Sequence, residues 1–273
     1  MVELRRVEKR YGDGPLILDH IDLAAAPGDF VALIGPSGCG KSTLLKLIAG
    51  LSPVTHGELS VAGPDSGENA AELAYVFQEP TLLPWLTVAQ NVELPLTLRA
   101  ASAANRAAAV TRALALVGLS SHATFFPRQL SGGQKMRVSI ARALSLSPRL
   151  LLLDEPFGAL DEMTRDRLNE ELLAIRERQG WTAFFVTHSV AEAVFLANRV
   201  VIMAAHPGRI HEEIRIDLPY PRTPETRSSI AYQKLVAEIS RTLRSVDSHG
   251  DISTQNSKPI TQSAAPSASA RST

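Results

Sequence analysis

Residues 35–42 read Gly-Pro-Ser-Gly-Cys-Gly-Lys-Ser, and no other stretch narrows the possible folds so far. The run follows a continuous apolar segment, Phe30–Ile34. It precedes a helical pattern over Lys41–Ala49, which Gly50 is placed to end. A glycine-rich turn between a buried strand and a helix lets backbone N–H groups converge on phosphate oxygens, and the helix N-terminus adds partial positive charge. The spacing G-x-x-x-x-G-K-[ST] therefore predicts a phosphate cradle. Gly35, Pro36, Ser37, Gly38, Cys39 and Gly40 form its loop, with Cys39 a small residue whose backbone is what matters. Lys41 reaches the β- and γ-phosphates, Ser42 ligates Mg²⁺, and Thr43 continues the first turn. A chance match would occur in roughly one chain in a hundred of this length, and the strand–loop–helix context lowers that further.

Four other short segments bear on the same chemistry. Leu150–Leu153 is an apolar strand that ends on two adjacent carboxylates, Asp154 and Glu155. A buried strand does not end so without a cation nearby. Asp154 suits a Mg²⁺ shell, and Glu155, pointing the other way, suits an attacking water. Leu130-Ser131-Gly132-Gly133-Gln134 opens an apolar-periodic helix, and Ser131 and Gln134 have capping-box spacing. Two glycines in a first turn weaken a helix by up to ~1 kcal/mol each, so Gly132 and Gly133 predict a second anion site at bare backbone. His188 follows the apolar strand Thr182–Val186 and precedes a further capping box, Ser189 to Glu192. Strand C-termini are where ligands bind in open α/β sheets, which predicts a γ-phosphate contact for His188. Gln78, just after the short strand Tyr75–Phe77, is a candidate metal or water ligand.

The surrounding pattern is α/β. Leu16–Leu23 and Val200–Met203 read as further buried strands, and Asp161–Arg178 as an amphipathic helix closed by Gly180. The stretch 81–146 turns helical and alanine-rich, an insertion forming its own lobe. Arg227–Val246 reads as a last amphipathic helix. Residues 247–273, rich in Ser, Thr, Ala, Pro and Gln, predict a disordered tail. Lys+Arg and Asp+Glu both number 28, so no general pull toward nucleic acid or anionic lipid follows. The basic group Arg5, Arg6, Lys9 and Arg10 reads as a solvated strand face. One cysteine, Cys39, excludes a disulfide scaffold and a cysteine-based zinc site. The N-terminus lacks the apolar core of a signal peptide, and no apolar run approaches the ~18 residues that cross a bilayer. The expectation is a cytosolic chain whose membrane role needs a partner.

In this order, the elements resemble the ATPase subunits of ABC transporters over roughly residues 1–210. The resemblance makes Gly35–Ser42 the Walker A motif, Leu150–Glu155 the Walker B motif, Leu130–Gln134 the signature motif, Gln78 the Q-loop residue, Gly158–Asp161 the D-loop and His188 the switch histidine. It implies that Tyr11 stacks on adenine. It implies a P-loop NTPase core, a mostly parallel sheet with flanking helices and a small antiparallel part, with the helical subdomain at about 81–146 inserted in a domain spanning 1–246. It further implies ATP and Mg²⁺ as ligands, and a head-to-tail homodimer that sandwiches each ATP between one P-loop and the other signature helix. Membrane-spanning permease subunits would dock at Glu79–Asn91, on the cytoplasmic face of the cell membrane, with an external solute-binding protein acting indirectly. Phe77-Gln78-Glu79-Pro80, Leu83-Pro84-Trp85-Leu86-Thr87-Val88, Asn91-Val92, Asp154–Asp161, Glu192-Ala193 and His206–Ile210 are similar to the nitrate/sulfonate/taurine importers. Ser189, Met136 and Asn198 depart from the usual pattern, none at a position assigned to chemistry.

Soluble ABC-type ATPases of DNA repair or translation are the alternative. The first class needs long heptad arms or zinc modules in the insertion, and the second carries two cassettes in one chain. This insertion is short and this chain has one cassette, so the transport reading leads, with no nucleic-acid partner.

Overall fold

The structure is a computed structural model that describes residues 1–61 and 73–254, with side chains through Val246. The described residues form nine strands, eight α-helices and two short 3₁₀ helices. A six-stranded sheet holds β3 (Phe30–Ile34), β5 (Leu73–Val76), β6 (Leu150–Asp154), β7 (Thr182–Val186), β8 (Arg199–Ala204) and β9 (Arg209–Arg215). Their order is β5-β6-β7-β3-β8-β9, parallel except for the antiparallel edge strand β9. A three-stranded antiparallel sheet, ordered β2-β1-β4, is built from β1 (Val2–Arg10), β2 (Leu16–Ala25) and β4 (His56–Val61).

The central strands β3, β6 and β7 are buried at every position. Side chains alternate across a strand, so their apolar runs feed two cores. Val31, Leu33, Leu150, Leu152, Phe184 and Val186 pack with α1 (Lys41–Ile48) and the antiparallel sheet. Ala32, Ile34, Leu151, Leu153 and Phe185 pack with the remaining helices. Among these are α2 (Val88–Leu98), α3 (Ala103–Leu116) and α4 (Gly132–Leu144), which pack on one another. They leave the sheet between the neighbouring strands β5 and β6 and share one apolar cluster with its face. Next come α5 (Glu162–Gln179), N-capped by Asp161 and closed by left-handed Gly180, and α6 (Val190–Leu196). The short α7 (Pro224–Arg227) leads to α8 (Ile230–Thr254), which lies on α6 and β8.

Four details differ from the sequence expectation. The strand expected at Leu16–Leu23 runs to Ala25 and alternates exposed with buried residues, because only one face of the small sheet is covered. Lys9 is not solvated. Register shifts on both sides turn it inward, its Nζ donates to Pro53 O at 2.7 Å, and it lies 4.5 Å from the Tyr11 ring centroid. Helix α8 continues to Thr254, past the boundary at 246, since no proline interrupts it there. The rest of the predicted disordered tail, 255–273, lies outside the described residues. Strands β4 and β9 went unread, and both are mostly exposed.

Candidate functional site

The loop after β3 owes its shape to its glycines. Gly35 is at φ 157°, and a Cβ there would lie 2.5 Å from Met203 O. Gly40 is at φ 94°, and its Cβ would lie 2.5 Å from Leu18 Cδ2. Gly38, at φ 79°, has open space around the same position, so backbone there is approachable. Gly40 is also the N-cap of α1 and supplies no side-chain cap. The first-turn N–H groups of α1 are therefore left for an anion. Lys41 is buried, with Nζ donating to Gly35 O and Pro36 O, both at 2.9 Å. Cys39 does more than lend its backbone: its side chain is wholly buried among Leu18, Val201 and Met203, and burial pushes its thiol pKa up. Ser37 is exposed, and Pro36, Ser42 and Thr43 are half-buried.

The parallel sheet brings distant residues to this loop. Ser42 Oγ donates to Asp154 Oδ1 at 2.8 Å, while Tyr75 OH donates to Asp154 Oδ2 at 2.9 Å. Sequence reasoning gave Tyr75 no role. Its signal is a register: Tyr75 pairs with Leu152, so its hydroxyl reaches along β6 to the carboxylate. Burial and the Asp154 charge raise the Tyr75 pKa, keeping it a donor. The hydroxyl–carboxylate pair of Ser42 and Asp154 is an all-oxygen donor set at the helix N-terminus, which fits Mg²⁺.

Glu155 follows β6 at φ 47°, an uncommon conformation for a residue with a side chain, of the kind held at functional sites. Its N–H still donates to Val186 O at 3.0 Å. His188 Nε2 lies 2.6 Å from Glu155 Oε1, and Gln78 Nε2 donates to Glu155 Oε2 at 3.5 Å. Three adjacent strand ends, β5, β6 and β7, thus put Gln78, Glu155 and His188 together.

Behind His188 the expected Ser189–Glu192 capping box is only half formed. Ser189 Oγ accepts from Glu192 N at 3.3 Å, but the buried Glu192 carboxylate does not return. Thr187 Oγ1 donates to its Oε2 in a short hydrogen bond, and Asn169 Nδ2 donates to Oε1 at 3.5 Å. Arg165 Nε lies 3.7 Å from that oxygen, and the same side chain donates to Leu160 O at 2.8 Å, in the 158–161 turn. Burial raises the Glu192 pKa.

The segment 131–134 stands apart. Ser131 and Gln134 form the complete capping box, with Ser131 N donating to Gln134 Oε1 at 2.9 Å and Gln134 N to Ser131 Oγ at 3.3 Å. Gly133 has a packing reason as well as an open backbone: a Cβ there would lie 2.9 Å from Thr164 Cγ2 on α5. Gly132 is exposed. Among the described residues no hydrogen bond or ion pair joins 131–134 to 35–43. Tyr11, half exposed, stands on the turn between β1 and β2, whose Leu18 lies beneath Gly40. Of the departures, Ser189 caps α6, Met136 is buried, and Asn198 Oδ1 accepts from Phe30 N at 2.8 Å.

A family model described as ABC transporter matches residues 18–158. The aliphatic sulfonates import ATP-binding protein SsuB of Bacillus cereus is 45% identical over 222 residues, 81% of this chain and 87% of the relative. An ABC transporter ATP-binding protein of Methanocaldococcus jannaschii, itself uncharacterized, is 42% identical over 236 residues, 86% and 88% of the two chains. A dimeric ATP-binding cassette, solved in a post-hydrolysis state with ADP and phosphate, superposes with a TM-score of 0.69 at 33% identity, covering 80% of this chain and all of the other. With its phosphate loop, paired carboxylates and parallel sheet, the chain belongs to the ABC transporter family of ATP-binding, ATP-hydrolysing subunits.

Proposed function

We propose that the chain energises import of a small solute of the sulfonate, taurine or nitrate kind, acting as a head-to-tail homodimer beneath permease subunits at the cytoplasmic face of the membrane. The observation that carries the reading is the Glu155 carboxylate held between His188 and Gln78, beside the Ser42–Asp154 pair and an uncapped helix N-terminus. In this arrangement the 35–43 loop and Lys41 bind the phosphates, and Tyr11 stacks on adenine. Ser42 and Asp154, with Gln78 at the edge, would hold a Mg²⁺ ion, which would supply positive charge to offset that of the triphosphate. Glu155 accepts the proton of the water that attacks the γ-phosphorus, and ADP departs with the bridging oxygen. His188, expected to meet the γ-phosphate, has Glu155 as its partner here and orients that carboxylate.

Residues 131–134 of the partner subunit close over the triphosphate with a second helix N-terminus. The dimeric form of the related cassette supports this assembly. Among the described residues no helix is long and apolar enough to cross a membrane, which fits a peripheral subunit. Trp85 is 68% exposed in the proposed permease contact, Glu79–Asn91. The sulfonate-import relative favours transport over DNA repair or translation, with the external solute-binding protein selecting the cargo. The test is reconstitution with the permease and binding protein in vesicles. Mg²⁺-dependent ATP hydrolysis coupled to uptake of an alkanesulfonate, taurine or nitrate is expected. Hydrolysis without uptake of any of them would overturn the solute class.

A further inference from the structure

Arg142 lies near the far end of α4, the helix that begins at Gly132. It has no carboxylate partner among the described ion pairs, although burial lowers its pKa. Its donors go instead to the chain just after Gln78. Nη1 donates to Thr81 O at 2.9 Å, and Nη2 to Pro80 O at 2.9 Å and Thr81 Oγ1 at 3.0 Å. Thr81 sits at φ 45°, an uncommon conformation for a β-branched residue. A planar guanidinium bridging two successive carbonyls fixes their positions as a flexible point charge cannot.

The next stretch is held as firmly. Asn91, fully buried on α2, accepts from Leu83 N at 2.8 Å and donates to Leu83 O, Leu86 O and Thr87 O at 3.2, 3.1 and 3.0 Å. Helices α2 and α4 are in turn joined by packing and by Ser145 Oγ donating to Val92 O at 3.1 Å. Residues 80–87 therefore belong mechanically to the helices. The exposed residues Phe77–Glu79 link them along the chain to β5, on which α4 also packs, and Gln78, in contact with Glu155, is at their centre.

We propose that Arg142 is a positioning residue that ties the segment after Gln78 to α4 as one unit. Losing that tie disturbs the aim of Ser131–Gln134 at the partner's nucleotide. At 1.5 Å rise per residue, Ser131 lies roughly 16 Å along the same helix from Arg142, so the two ends of α4 serve the two nucleotide sites. The inference rests on the head-to-tail reading given above.

The experiment uses the full chain carrying Glu155→Gln, expected to bind ATP and turn it over far more slowly. ATP affinity of the monomer is measured with a fluorescent nucleotide at low protein concentration, and ATP-dependent dimerisation by sedimentation. Arg142→Gln and Arg142→Lys are expected to leave the monomer's ATP affinity within about twofold while weakening dimerisation at least tenfold. Lysine does not rescue, because one ammonium does not span both carbonyls. Thr81→Val, which deletes only the hydroxyl contact, should weaken dimerisation a few-fold. Should Arg142→Gln fail to fold, the lysine and valine variants decide. Dimerisation within twofold of the parent overturns the proposal, and so does a parallel loss of ATP affinity, which would mark a merely structural role. A parent that stays monomeric in ATP overturns both this proposal and the head-to-tail reading.

Discussion

Replacing Glu155 with glutamine removes the carboxylate charge but keeps its shape, and replacing His188 with alanine removes the imidazole that lies 2.6 Å from it. A positioned general base contributes typically ~10²–10⁴-fold to a rate, or ~2.7–5.4 kcal/mol at ~1.36 kcal/mol per decade. Glu155→Gln should lose that much in kcat while still binding ATP. A hydrogen bond to a charged group contributes ~1.5–3 kcal/mol. The His188 side chain is 50% exposed, which places its share at the low end, roughly tenfold. If His188 acts through Glu155, the two losses do not multiply. Once the carboxylate is gone the imidazole has nothing left to orient, and the double variant should match Glu155→Gln within about threefold. The assay is steady-state phosphate release at saturating ATP and Mg²⁺ for the parent, both single variants and the double. Near-normal turnover of Glu155→Gln would remove it from the role of base. Multiplying losses would mean that His188 works on the phosphate directly, and the inference from the short contact would be refuted.

Three further outcomes are expected. Lys41→Ala removes the charge that donates to Gly35 O and Pro36 O of the loop and should strongly weaken ATP binding, hydrolysis or both; equilibrium binding and turnover that both survive would refute the cradle. Trp85→Ala should leave melting and nucleotide binding intact, since the ring is 68% exposed. It should weaken assembly with the permease by ~2 kcal/mol or more, read by copurification. Truncation after Val246 should leave Tm and ATPase rate nearly unchanged, and a fall of several degrees would show that the segment docks.

The parts of the site that were legible are those written as contiguous words. The 35–42 loop, the 150–155 strand and the 131–134 cap each contain their own local geometry, so strand, turn and helix could be placed without knowing what lay across from them. What escaped depends on neighbours distant in the chain. Tyr75 reaches Asp154 only because β5 and β6 pair in one register. Lys9 is turned inward by register shifts in β1. Glu192 gives up half of its local capping box for Thr187, Asn169 and Arg165, and Gly133 answers to Thr164 on another helix. Strands β4 and β9 carry almost no buried side chain, so neither shows the alternation by which a strand is recognised.

The strand order has a consequence for how the chain is born. Among the described residues strand β3, which delivers the phosphate loop, pairs only with β7 and β8. They are synthesised about 150 and about 170 residues later, roughly 8–34 s at 5–20 residues per second. Until then the loop has neither its flanking strands nor His188, and Asp154 and Glu155, though already made, are not yet joined to it through β7, so ATP has nothing to stabilise. The nascent N-terminal third, with Val31, Leu33 and Leu44 waiting for β7, must be kept from aggregating by other means until that strand emerges. The nucleotide can act as a folding ligand only for the finished chain.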